Sequence, residues 1–288
     1  MSMELDEQLR NKYGLSYHIS YALEAERRVG LRGKRVLEIG GSLPRDFVLG
    51  DLGAARWVAI EELSYYREIK DKKSGSESGV LSSAARDDDI TTVDAVKNID
   101  NLGDYSVVFG RVEGISEAFF NQFDVAFSIA AFEHIDRFPA ALARMYDALA
   151  PGGKLFTMFS PIWSGFNGHH LHGVTDKNGK VYDAGNVPIP PWGHLLMRPP
   201  ELYQHLLSHM DADTAAEIVY HVYNSPSINR LFTEDYYDYF RLSPFTVDTF
   251  LATFPVTVPD EALALLRERC PKYANFANAG ILAVLTKP

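Results

Sequence analysis

The feature that most constrains this chain is a short unit near its start. Arg35-Val36-Leu37-Glu38-Ile39 reads as a strand that runs into Gly40-Gly41-Ser42. An apolar helical stretch over residues 47–52 comes next, and then a second strand, Arg56-Trp57-Val58-Ala59-Ile60. Strand, glycine turn, helix and strand in so few residues open a parallel sheet, because parallel neighbours need a crossover and the crossover lays a helix on one face. Further strands are predicted at 105–109, 123–129 and 154–159, the last after a helix carrying Ala140, Leu142, Met145 and Leu149 that stops before Pro151-Gly152-Gly153. A helix at 233–241 and strands at 245–247 and 281–286 close the pattern. The expectation is a doubly wound, mostly parallel, seven-stranded α/β sheet.

Around that sheet the chain divides into four parts of one domain, residues 1–288. Residues 1–33 form an amphipathic helical cap, with Tyr17, Tyr21 and Leu23 among Glu24, Glu26, Arg27 and Arg28. Residues 34–160 are the core, 161–230 an insertion rich in His, Gly, Pro and Trp, and 231–288 the closing helix and strands. Residues 70–104 are polar with little periodicity and read as a mobile lid or a solvated loop.

Composition narrows the partners. Formal charge is −10, with 28 Lys plus Arg against 38 Asp plus Glu. A nucleic-acid binder needs a concentrated basic surface, and the tightest basic groups here, 32–35 and 70–73, are short and flanked by acids, so nucleic acid is not an expected partner. The single cysteine, Cys270, permits no intrachain disulfide. No apolar run approaches a membrane span, and Met1 to Glu7 is acidic, so no membrane association is expected and the cytoplasm is the expected location. Oligomeric state stays open.

The glycine turn and the second strand's end carry the first chemical signal. Without a side chain at Gly40 and Gly41, a ligand can approach the backbone, and the next helix offers free amides. Glu61 lies just past the second strand, 23 positions after Glu38. An acid at that point can accept hydrogen bonds from both ribose hydroxyls of an adenosine group; Glu62 is the alternative.

Taken together, the motifs resemble those of class I S-adenosylmethionine-dependent methyltransferases, especially enzymes acting on sugars, lipids and natural products. The resemblance runs over residues 34–161. It rests on Glu38-Ile39-Gly40, on Glu61, on Phe123-Asp124 through Glu133-His134, and on Leu149-Ala150-Pro151-Gly152-Gly153. It implies S-adenosylmethionine as cofactor, with S-adenosylhomocysteine as product and a small-molecule or glycan acceptor. It also implies that Glu38, Gly40, Gly41 and Ser42 shape the methionine side, that Glu61 or Glu62 holds the ribose, and that Ser128 lines the pocket. The chain departs from the family pattern at Ser42 and Pro44, where further glycines are usual. The adenine-contacting position after the third strand reads Gly110-Arg111-Val112-Glu113. Arg111 there either stacks on adenine or pairs with an acid.

Methyl transfer asks the protein to align a nucleophile and, for an alcohol, to take its proton. His134, His169, His170 and His172 are the candidate bases, the last three in Gly168-His169-His170-Leu171-His172-Gly173. With His194 or Asp176, His169, His170 and His172 also offer enough ligands for a metal ion. No established zinc spacing such as His-Glu-x-x-His occurs, and no metal is expected. A loop of packed or solvated histidines is the third reading. Trp163, Phe166, Trp192 and Tyr203 serve either as an acceptor wall or as the packing core of the insertion. The expected function is O-methylation. The rivals are an NAD-dependent oxidoreductase, which would need a fuller glycine turn, and a non-catalytic binding protein.

Overall fold

The structure is a computed structural model that describes residues 3–41, 43–62 and 87–288. Its centre is one eight-stranded sheet. The strands are β1 (Arg35–Ile39), β2 (Arg56–Glu61), β3 (Ile90–Thr92), β4 (Tyr105–Phe109), β5 (Phe123–Ile129), β6 (Leu149–Phe159), β9 (Thr246–Pro255) and β10 (Asn278–Thr286). They lie in the order β3-β4-β2-β1-β5-β6-β10-β9. A separate hairpin, β7 (Val174–Thr175) with β8 (Val181–Tyr182), sits in the insertion. The pairs from β3 through β6 are parallel, whereas β10 runs antiparallel to both β6 and β9. The expected seven strands are all present. The eighth, β3, is a three-residue edge too short and polar to show in the sequence.

Alternation along the parallel strands sends side chains to two cores. Val36, Trp57, Tyr105, Val125 and Phe127 face one side, where they meet α1 (Met3–Tyr13), α2 (Tyr17–Val29) and the single wide helical turn Asp46–Asp51. Leu37, Val58, Ile60, Val108 and Ala126 face the other, beneath α3 (Phe138–Ala148). Of the segment read as a lid, residues 70–86 lie outside the described residues, and 87–101 form short 3-10 turns around β3.

The insertion has a third core of its own. Trp163, Leu171, Val174 and Trp192 pack there with Leu202 and Leu206 of α5 (Pro199–Leu206), reached through the four-residue α4 (Gly193–Leu196). Ala215, Ile218 and Val222 of α6 (Ala212–Tyr223) join them, as do Phe232, Leu266 and Phe276 from beyond residue 230. The closing elements are α7 (Thr233–Leu242) and α8 (Asp260–Arg269). The chain end is strapped down by Lys287, whose buried ammonium donates to Asn121 Oδ1 at 2.9 Å and to the carbonyls of Tyr146 and Leu149 at 2.8 and 2.7 Å. Among the described residues no helix is long and apolar enough to cross a membrane.

Candidate functional site

The carboxyl ends of the parallel strands converge on the glycine turn. Gly40 has φ +78°, the left-handed region, and its backbone is exposed at the end of a buried strand. A Cβ placed there would overlap the Cβ of Ala131, so strand β1 and the segment after β5 approach closely at this point. A Cβ at Gly41 would meet Glu38 Oε1 at 2.8 Å. Both glycines are therefore required by packing, and the first leaves main chain open to a ligand.

Side chains replace the missing later glycines in holding the turn. Glu38 is buried and accepts hydrogen bonds from Trp57 Nε1 at 2.5 Å and from the Leu43 amide at 3.0 Å. Tyr105 donates its hydroxyl to the Leu43 carbonyl at 2.9 Å, and Arg45 reaches Asp89 at 2.9 Å. Glu38 thus shapes the turn from beneath. Burial pushes its carboxyl up to about 7 even though both hydrogen bonds favour the charged form. Burial also raises the Tyr105 phenol, reinforced by the nearby carboxylates of Glu38, Glu61 and Asp89.

Glu61 closes β2, buried on the same face as Glu38, and its carbonyl accepts from the Gly110 amide at 2.8 Å. Glu62 turns the other way, with Arg111 at 3.4 Å. Arg111 also pairs with Asp136 and, at 3.5 Å, with Glu113. Of the two roles open to it, the structure shows the pairing one: its guanidinium bridges acids from three strand ends. Val112 packs in the core, and Ser128 donates to the Ile39 carbonyl at 3.0 Å, tying β5 to β1. Both support the cleft from within. Ser42 lies outside the described residues.

The histidines divide. His134, on the single 3-10 turn Phe132–His134 after β5, meets His170 and His172, with ring centroids 4.8 and 5.3 Å away and 4.6 Å between the latter two. One nitrogen from each ring lies within 4.8 Å of the others, and all three rings are half-buried. His169 departs from this group. It is buried against His194 in the insertion, centroids 5.8 Å apart, while His194 Nε2 donates to the Trp163 carbonyl at 2.8 Å. Trp163 and Trp192 are buried in the third core, so packing is their role, whereas Phe166 is exposed. Arg230 donates to the Val222, Ile228 and Ser225 carbonyls and acts as a loop clamp.

A second clamp fixes the 3-10 turn. Asn229 donates to the Phe132 and Ile135 carbonyls, and its own amide bonds to the Glu133 carbonyl at 2.9 Å. His134 Nδ1 bonds to the Ser227 carbonyl at 2.6 Å, which makes Nδ1 the protonated nitrogen and puts the ring's lone pair on Nε2. Glu133 is buried beside it, Oε1 at 3.9 Å from His134 Nε2, and burial pushes its carboxyl up to about 8. Burial pulls His134 and His169 down to about 4 and His194 to about 3, well below the ordinary imidazole range assumed from sequence. Glu133 as an interior carboxylate and the 227–229 clamp were missed in the sequence.

Residues 76–157 match the model of a methyltransferase domain. No curated protein matches the chain by sequence. Similar solved structures include an S-adenosylmethionine-dependent methyltransferase from Mesorhizobium loti, at 11% identity, 95% of this chain, 99% of that one and TM-score 0.49. A putative S-adenosylmethionine-dependent methyltransferase from Listeria monocytogenes gives 16%, 93%, 96% and 0.46 in the same terms. Phosphoethanolamine N-methyltransferase 2 of Haemonchus contortus, in complex with S-adenosyl-L-methionine, gives 14%, 93%, 52% and 0.46.

Proposed function

We propose that this chain is an S-adenosylmethionine-dependent methyltransferase that methylates a hydroxyl of a small-molecule or glycan acceptor, its proton leaving toward the cluster of His134, His170 and His172. One adjacency carries the reading. Ala131 abuts the exposed glycine turn, and three residues later His134 meets the two histidines of the insertion. Donor side and proton-accepting side are thus joined by a single clamped turn.

The cleft suits the cofactor. Gly40 offers open main chain, and Glu61 is a carboxylate at the neighbouring strand end, the group that a ribose diol pairs with. When bound, S-adenosylmethionine supplies an electrophilic methyl on a sulfonium. His134 is neutral at pH 7 and, although a weak base, needs only to take a proton from an oxygen made strongly acidic as its new carbon bond forms. Holding the imidazole in one tautomer, as the Ser227 carbonyl does, fixes where that proton goes.

The test is transfer of a labelled methyl group to a panel of sugars, glycosides and phenols. An ether product is expected, with kcat falling about a hundredfold in His172→Ala while the affinity for S-adenosylhomocysteine is kept. Label found only on nitrogen or carbon, or an unchanged kcat in that variant, overturns the reading.

A further inference from the structure

We infer that His134, His170 and His172 form a binding site for one divalent transition-metal ion of the zinc type, left open on one side for an oxygen ligand. Among the described residues this is the one group of three or more metal-ligating side chains brought together. Three atoms no more than 4.8 Å apart leave a central point within about 2.8 Å of each. Zinc–imidazole bonds are roughly 2.0–2.1 Å, so each ring has to move inward by only about 0.7 Å. Half-buried side chains on a loop can do that by small torsional adjustment.

The surroundings are those a ligating imidazole needs. A metal-bound histidine almost always donates its other ring N–H to a carbonyl or carboxylate, which fixes the tautomer and aims the lone pair. His134 does so through Nδ1 to the Ser227 carbonyl at 2.6 Å, and the turn that carries it is held by Asn229. His170 is held at φ +44°, a conformation a non-glycine residue adopts only where its surroundings enforce it. Three imidazole nitrogen donors without a thiolate favour Zn²⁺ and its neighbours over Mg²⁺ or Ca²⁺, which select oxygen. Glu133 Oε1, 3.9 Å from His134 Nε2, stands beside the site.

Binding of the ion does not depend on the methyl-transfer reading. Its role does: an ion here would hold the acceptor oxygen and lower its pKa, as zinc lowers that of bound water to about 7, and would replace proton uptake by the imidazoles, whose lone pairs it occupies.

The test uses the full chain without a polyhistidine tag, freed of metal by chelator dialysis. Zn²⁺ is titrated by calorimetry and Co²⁺ by its visible d–d bands, with neither cofactor nor acceptor present. One ion per chain is expected, with four- or five-coordinate Co²⁺ bands. Affinity should fall at least tenfold in His170→Ala and in His172→Ala, both checked for an unchanged melting curve, and stay constant in His209→Ala, which breaks the separate His205–His209 pair. Absence of binding at micromolar Zn²⁺, or binding unchanged in both cluster variants, overturns the site. Binding without any methyl transfer leaves the ion site standing and counts against the proposed reaction.

Discussion

Replacing Glu38 by Gln should make the protein more stable, and only above a definite pH. Glu38 sits at the centre of β1 with Trp57 Nε1 and the Leu43 amide on its oxygens. A glutamine keeps an oxygen for these donors but cannot ionise. An unfolded glutamate titrates near 4.5, and in the folded protein burial moves Glu38 to about 7. Between those values the native state holds a proton that the unfolded state has lost. Stability therefore falls as pH rises through the window and levels off above it. At roughly 1.4 kcal/mol per pH unit the loss amounts to about 3 kcal/mol by pH 8. The variant lacks it. Wild type and Glu38→Gln are to be unfolded in urea at intervals from pH 4 to 8.5. With a slope of about 3 kcal/mol per molar for a chain of this length, the midpoints should diverge by about 1 M across the window. Other titrating groups, including the buried histidines, are common to both proteins and cancel in the difference. Midpoint curves that stay parallel from pH 4.5 to 7 would refute the reasoning.

The neighbouring contacts set further outcomes. Glu61→Ala should weaken S-adenosylhomocysteine binding about tenfold by calorimetry, and equal affinity would remove Glu61 from the ribose. Gly40→Ala meets both the left-handed backbone and the Ala131 Cβ; it should cost about 2–4 kcal/mol in urea unfolding, part of which returns when Ala131→Gly is added. Ser128→Ala loses the bond to the Ile39 carbonyl and should cost about 1 kcal/mol by the same measurement. Lys287→Met leaves the Asn121, Tyr146 and Leu149 oxygens without their donor and should cost about 2–4 kcal/mol, read as a fall in melting temperature.

The parallel strands other than β3 were legible because they are largely buried and read as apolar runs, as in Val36-Leu37 and Val107-Val108. β9 was legible only at its start: as an edge strand it is exposed along most of its length, so no apolar run extends it to Pro255. Helix α6 did carry a sign, Asp211 capping the Thr214 amide ahead of an apolar stripe, but it lies within a segment otherwise without period. Sequence position placed Glu38 and Glu61 at adjacent strand ends but not Trp57 and Tyr105 around them, since those partners come from register across strands. The split between His169 and its neighbours was hidden for a similar reason. Which way each ring faces depends on a left-handed residue at 170 and on the route of the insertion back to residue 134.

The insertion keeps its apolar packing apart from the two layers flanking the sheet. Substitutions separated in this way tend to act additively. Changes inside the Trp163–Leu206 cluster can therefore be made while the glycine turn and the strand ends keep their geometry. One small cluster can thus be repacked with the rest of the molecule left as it is.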